Sequence, residues 1–509
     1  MESKSTSSAL SLISFTTAMV SFILWKNREE NKKESSASVY SYDEVLQLRK
    51  EHYCGSVSIS YSNSGPLLIV GGSQSYLIDH NGKCYLDTRN NVAHVGHQNP
   101  QVIKAIKKQI DRLNTNSRYI HPNSSLLAKR LVDLLPKPLS KVFFVNSGSE
   151  ANDLALRLAR AYTGSKNSIV VDCAYHGHTM NTLEISPYKF DCSSEFDLIE
   201  QHNGYKTPGG NIYKVSCPNS YRGRYHRGGT CKNVYNRYVG DPEYDFANEV
   251  ETACHYYQHV KNEKVGCFII EGGMSVGGVI LPPKSYLKRC AEAVRDAGGL
   301  YISDEVQTGF GRLGECFWAF QYNNSGVIPD IVTVGKPFGN GMPLAAVITT
   351  KEISDAFELM NVEYFNTFGG NPVSCAAGLA MLDELESKNF QEHALVVGNY
   401  MISKFRHLQE KHSIIGDIRG SGLFIGIELV RDRKTLEPAT KETSFLCTVL
   451  KEKYFILTSI DGPFENVIVV KPPLCFDEVC VDKFIVGFES ALIEDLPQID
   501  LQRISKTPT

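Results

Sequence analysis

The sequence has no excess of charge of either sign: 53 lysines and arginines stand against 56 aspartates and glutamates, for a net charge of −3. That balance gives no electrostatic reason to expect nucleic acid as a partner. No Cys-x-x-Cys pair occurs among the 14 scattered cysteines. Neither a zinc site nor a compact disulfide framework follows from such spacing, and the thiols are expected to be mostly reduced, as in cytosol or mitochondrial matrix. No internal repeat is present. What remains is the composition of an ordinary globular enzyme, 509 residues and 42% hydrophobic, long enough for more than one domain.

The N-terminus stands apart. From Ala9 to Trp25 no charge occurs, and Leu10, Leu12, Ile13, Phe15, Met19, Val20, Phe22, Ile23 and Leu24 keep the stretch apolar. As a helix it would span about 25 Å, a little short of a ~30 Å hydrocarbon core. Lys26, Arg28, Lys32 and Lys33 follow it, against Lys4 alone before it. The positive-inside rule then turns the protein body toward the cytosol. A short helix with basic residues after it suits an outer mitochondrial membrane anchor. The absence of a small-residue cleavage site argues against a secretory signal, and Glu2 with no early arginine argues against an ordinary matrix transit peptide. Membrane contact through residues 9–25 is expected, with targeting or a disordered tail as alternatives. The location is accordingly expected to be mitochondrial, or cytosol-facing on such an anchor.

Past a polar linker ending at Tyr40, strands and helices alternate. Ser75–Asp79 and Cys84–Asp87 flank Asn81-Gly82 and read as a hairpin. After Asn99-Pro100, a good helix start, Val102, Ile103, Ile106, Ile110 and Leu113 keep helical spacing. Lys141–Val145, Ile169–Val171 and Cys267–Ile270 read as buried strands. A helix from about Tyr286 to Ala297 buries Leu287, Cys290, Ala291 and Val294 and ends at Gly298-Gly299. This alternation argues for an α/β fold, a largely parallel sheet covered on both faces.

Three constellations carry chemistry. Ile331–Val334 ends in Gly335-Lys336-Pro337, and Leu300–Ser303 ends in Asp304. A lysine there is a surface charge or a catalytic amine; beside the aspartate it suits one cofactor, with Lys336 for an aldehyde and Asp304 for a pyridinium nitrogen. The pair suggests pyridoxal phosphate. Asn146-Ser147-Gly148-Ser149-Glu150-Ala151-Asn152 lies between a strand and a helix, a phosphate cradle in form, though a tight turn with a serine N-cap fits equally. Tyr175-His176-Gly177-His178 follows a third strand and offers a ring to stack on a pyridine, or a tyrosine packed at a loop edge. The two histidines lack a third ligand at matching spacing, and no metal is expected.

These motifs, with Asp304–Arg312 (DEVQTGFGR), Val334–Gly341 and Phe365–Pro372, together resemble the class III pyridoxal-phosphate aminotransferases. The resemblance runs from about Tyr40 to about Leu492. It implies a fold type I transferase: a large domain with a mainly parallel sheet between helices, and a small domain from the N- and C-terminal parts. The boundaries expected are 1–40 for the apolar segment and linker, 41–95 for the N-terminal part of the small domain, 96–372 for the large domain, 373–495 for the C-terminal small domain, and 496–509 for a tail. It further implies that Lys336 forms the Schiff base and acts as base, Asp304 holds the ring nitrogen, Gln307 meets the ring hydroxyl and Tyr175 stacks on the ring. Gly148 and Ser149 would bind the cofactor phosphate, with Thr367 reaching it from the second subunit of a homodimer. The substrate implied is a small-molecule amine.

Within that family, Asn91–His97, Leu113–Tyr119, Ile185–Phe190, Tyr221-Arg222-Gly223 and Lys471-Pro472-Pro473 look like the alanine-glyoxylate aminotransferase 2-like branch, which includes the ethanolamine-phosphate and 5-phosphohydroxylysine phospho-lyases. Two departures from the ornithine- and glutamate-handling members favour elimination. His178 stands three residues after the stacking aromatic, and Val469 before the Pro-Pro pair, where those members carry arginines. A 2-oxo-dicarboxylate needs charge-assisted partners, and losing both makes it a poor co-substrate. The branch itself usually has lysine at the second position, so Val469 leaves the substrate's anionic end open. Met342 also departs from a usual histidine. Candidates for the substrate phosphate are Arg118, Lys189 and Arg222, with Arg224 behind them; the segment from Lys214 to Asp245 reads as a long functional loop or a solvated basic one. A phospho-lyase is the expectation; a class III aminotransferase of alanine-glyoxylate or ω-amine type is the alternative, and a silent scaffold the third reading.

Overall fold

The computed structural model describes residues 40–188, 211–223 and 242–499. The apolar stretch 9–25, Lys189 and Arg224 lie outside these residues, and so do the expectations attached to them. Ten strands come first in the chain: β1 (Ile69–Ser73), β2 (Tyr76–Asp79), β3 (Cys84–Asp87), β4 (Lys141–Val145), β5 (Ser168–Val171), β6 (Ile212–Val215), β7 (Cys267–Glu271), β8 (Leu300–Asp304), β9 (Ile331–Val334) and β10 (Ala345–Thr349). Seven of them form a sheet of order β4-β10-β9-β8-β7-β5-β6. Within it β10 runs antiparallel to both its neighbours, and the pairs from β9 to β6 are parallel.

The continuous apolar strands follow from burial on both faces. Ile169, Val171, Phe268, Ile270 and Tyr301 point into one cluster with the helix Tyr286–Asp296. Val170, Ile269, Ile302 and Ile331 point into another with the helix Gly148–Thr163. Alternation along each strand thus fills two cores at once.

The remaining strands are β11 (Ile415–Ser421), β12 (Phe424–Asp432), β13 (Glu437–Pro438), β14 (Ile456–Leu457), β15 (Ser459–Asp461) and β16 (Val467–Val470). The hairpin β2–β3 turns at Gly82, whose φ of 77° suits glycine, and Asp79 accepts the N–H groups of Asn81 and Lys83. β14 pairs parallel with β3, so distant parts of the chain share one four-stranded sheet. The others form an antiparallel sheet of order β11-β12-β16-β15, with β13 on β12. Arg312 ties the layers together: fully buried, it donates to the carbonyls of Leu423 and Pro472 at 3.1 and 2.7 Å and to His94 Nδ1 at 3.2 Å. Burial and this guanidinium push His94 down to about 3.

Two readings of the sequence change. The helix capped by Asn99 ends at Ile110, and Leu113 lies beyond it because Arg112 and Leu113 both donate to the Gln109 carbonyl and turn the chain. Ile110 and Leu113 are exposed, while Val102 and Gln109 are buried. The segment read as a loop from Lys214 begins in strand and ends in helix, since β6 adds to the edge of β5 and the helix Pro242–His255 follows. Among the described residues eleven cysteines are free thiols, and Cys173 is disulfide-bonded.

Candidate active site

Parallel pairing brings three strand ends level: Glu271 at the end of β7 opposite Asp304 at the end of β8, and Asp304 opposite Thr333 in β9. Lys336 follows three residues later. In open α/β sheets this C-terminal edge is where ligands gather. A cavity of about 380 Å³ lies there, lined among others by Gly148, Ser149, Tyr175, Asp304, Gln307 and Lys336. Six of the seven cofactor and catalytic candidates, all but Thr367, therefore share one chamber.

Asp304 is 3% exposed and held from three sides. Its Oδ2 accepts from His176 Nδ1 at 2.8 Å and Asn152 Nδ2 at 2.7 Å, and its Oδ1 from the Val306 N–H at 3.0 Å. Asn152 in turn accepts from Thr333 Oγ1 at 2.7 Å and donates to the His176 carbonyl at 2.8 Å. His176 thus orients a carboxylate. Glu271 is fully buried, accepting the N–H groups of Tyr175 at 3.0 Å and Ser275 at 3.3 Å. Burial pushes it up to about 7, with Asp304 adding to the rise and His176 opposing it.

Lys336 Nζ stands 5.8 Å from the centre of the Tyr175 ring and has no hydrogen-bond partner among the described residues. Burial lowers its pKa from the ordinary lysine value, while Asp304, Glu271 and Asp461 pull it back up. Tyr175 is braced edge-on by Tyr188 at 5.5 Å, and burial followed by the two carboxylates raises its phenol. Gln307 is buried and accepts from Asn91 Nδ2, which leaves its own amide free to donate.

The helix Gly148–Thr163 starts at the chamber. Ser147 caps it by accepting the Glu150 N–H at 3.2 Å, and the N–H groups of Gly148 and Ser149 have no acceptor within the helix. A Cβ at Gly148 would come within 2.6 Å of Val306, and one at Gly177, whose φ is 132°, within 2.6 Å of Ser149 Oγ. Small residues are required on both sides for the backbone to close here. An anion cradle, a flat ring wall, a fixed carboxylate and a depressed lysine fit a phosphorylated pyridine aldehyde.

Other candidates lie elsewhere. Thr367 is exposed and absent from the chamber lining. Arg118 is also exposed, 3.8 Å from Glu363, with its guanidinium carbon 4.0 Å from the Phe365 ring centre. Arg222 is not brought to the chamber: it binds buried Glu428 through Nε and the Leu436 carbonyl at 2.5 Å through Nη1, because Glu428 would otherwise be sealed with Arg419 as its other cation. His178 is exposed beside Tyr175, and Val469 is buried in an apolar cluster with Val279, Leu313 and Phe424. Met342 lines the chamber. Sequence reasoning missed Glu271 and Ser275, and it placed Asn152 in the cradle motif without its role on Asp304. Glu271 carried the same signal as Asp304, a carboxylate ending an apolar strand; the other two needed the tertiary contacts.

Sheet and chamber together define an α/β enzyme that brings a lysine, an aspartate and an anion cradle to one cofactor site. The pattern described as Aminotransferase class-III matches residues 59–492, and the chain belongs to that family, which implies pyridoxal phosphate. It is 44% identical over 452 residues to the alanine-glyoxylate aminotransferase 2-like protein of Drosophila melanogaster, covering 89% of this chain and 87% of that one. The ethanolamine-phosphate phospho-lyase homolog 1 of Caenorhabditis elegans is 41% identical over 464 residues, 90% and 95% of the two chains. Among solved structures, a phospholyase from Arthrobacter in complex with phosphoethanolamine is similar at 34% identity and a TM-score of 0.77, covering 88% of this chain and 99% of that one.

Proposed function

We propose that this enzyme is a pyridoxal-phosphate-dependent phospho-lyase that eliminates phosphate from a phosphorylated amine, ethanolamine phosphate or 5-phosphohydroxylysine, giving an aldehyde, ammonia and phosphate. The observation that carries this reading is Val469, enclosed in an apolar cluster at the position where the resemblance places an arginine in ornithine- and glutamate-handling members. With His178 at the other such position, neither residue offers a guanidinium to a keto acid's second carboxylate. The phospho-lyase homolog and the phosphoethanolamine complex among its relatives support the same direction.

Lys336 would bond the cofactor and then take the proton from the substrate carbon that bears the amine. Its lowered basicity keeps a neutral fraction for both tasks. Asp304, fixed by His176 and Asn152, would hold a proton on the ring nitrogen. Bound there, the cofactor would supply an electron sink for the substrate's electrons; phosphate would leave the adjacent carbon, and water would hydrolyse the enamine that is released to the aldehyde and ammonia. Gln307 would donate to the ring hydroxyl, Tyr175 cover the ring, and Gly148 and Ser149 hold its phosphate. Thr367 would complete that phosphate site in a second copy of the chain; it shares its exposed edge with Leu359, Met360, Val362, Phe365 and Phe368, an apolar surface suited to burial between copies.

The test is direct. Purified protein loaded with cofactor is incubated with ethanolamine phosphate or 5-phosphohydroxylysine, without a keto acid, and inorganic phosphate and ammonia are measured. Equimolar release is expected. Silence there, with pyruvate-dependent amino transfer from another amine, would make it an aminotransferase.

A further inference from the structure

Lys471, just past β16, has a side chain only 12% exposed, and its ion-pair partner among the described residues, Asp461, stands off at long range. Its Nζ donates to Oγ of fully buried Ser275 at 2.7 Å, and Asp461 Oδ2 stands 3.9 Å away, beyond hydrogen-bond range. The ammonium carries three donors, so two remain without a protein acceptor among the described residues. Ser275 gives its own N–H to Glu271, a wall of the chamber, which puts Lys471 one residue behind that wall.

A second cation lies beside it. The Lys471 N–H donates to the Thr88 carbonyl at 2.8 Å, seating the next residue, Arg89, against the same strand end. Arg89 is half-buried, its guanidinium carbon 6.0 Å from the Tyr61 ring centre; its backbone N–H goes to Asp87, and its guanidinium has no carboxylate partner among the described residues. Its loop continues to Asn91, bonded to Gln307, and to Val92, which lines the chamber. Burial pushes Lys471 down to about 8, with the charges of Lys336 and Arg89 adding to the fall and the carboxylates Asp461 and Glu271 opposing it. Lys471 thus sits between two other cations and two carboxylates, with donors left over, and a bound anion relieves the repulsion it meets from Lys336 and Arg89.

We infer that Lys471 and Arg89 form the receptor for the substrate's phosphate. A phosphate dianion matches two cations in charge and accepts from the planar fork of Arg89 and the free protons of Lys471 together. The lysine thereby supplies, from a neighbouring position, the charge that Val469 cannot. The identity of the ligand rests on the lyase reading; the receptor itself is read from the two cations.

The experiment separates the two. With cofactor filling the Gly148 cradle, inorganic phosphate is titrated into the holoenzyme by calorimetry, and KM and kcat are measured with ethanolamine phosphate. Lys471→Met and Arg89→Met are each expected to weaken phosphate binding about 10- to 100-fold and to raise KM more than they lower kcat, whereas Lys471→Arg restores most of the binding. If Lys471→Met does not fold, Arg89→Met on its half-exposed loop decides. Wild-type phosphate affinity in the methionine variants, or no phosphate binding by the wild-type holoenzyme, overturns the receptor even where lyase turnover is intact. Phosphate binding that needs both cations in an enzyme without lyase turnover keeps the receptor and discards the lyase.

Discussion

Lys336 and Glu271 face one chamber, and burial shifts both toward their neutral forms, the lysine down and the carboxyl up to about 7. The consequences differ because one group must react and the other must be tolerated. Lys336→Ala is expected to abolish turnover with any amine and to remove the visible absorbance of the lysine-bound cofactor; retained turnover would move the site elsewhere. Glu271 binds its proton more tightly folded than unfolded, so its burial costs nothing below about pH 4.5 and destabilises progressively as pH rises to about 7. Glu271→Gln should therefore gain stability relative to the wild type across that window and hold a constant advantage above it, as read by denaturant melts of the cofactor-free protein. A difference independent of pH would show that Glu271 does not titrate there.

At the scale of elements, the start of the helix Gly148–Thr163 is the part least tolerant of change. Gly148→Ala would place a methyl 2.6 Å from Val306, an overpacking of about 1–3 kcal/mol with backbone shift at the cradle. Weaker cofactor binding and a lower melting temperature are expected together; an unchanged affinity would mean that this turn does not hold the phosphate. The strands β5, β7, β8 and β9 were legible because β-branched runs buried on both faces look like little else, and β4 by its apolar run, although only Val145 of it is buried. The strand at Ile212–Val215 was not, since Tyr213 and Lys214 dilute its apolar pattern and its pairing with β5 is a long-range event. Arg222 misled for a related reason. An arginine in a loop reads as solvent-facing until the fold supplies a buried carboxylate such as Glu428.

At the scale of the whole molecule, Thr367 and the apolar residues around it stay outside their own chamber. The chain is expected to sediment as a dimer, and Thr367→Ala to weaken cofactor binding about 10-fold while leaving the dimer intact. A monomer with full cofactor affinity would remove the second copy from the site.

Local order in the sequence was enough to determine the alternation of strands and helices, the hairpin at Asn81-Gly82, the capped helix starts and the two strand ends that carry Asp304 and Lys336. Those features depend on neighbours a few residues apart. Tertiary structure alone decided which polar groups meet: Asn152 and His176 on Asp304, Glu271 level with it, Arg312 between layers, and Lys471 behind the chamber wall. Each of these brings together distant parts of the chain. Burial then sets the charge of the group, and no local pattern reports burial.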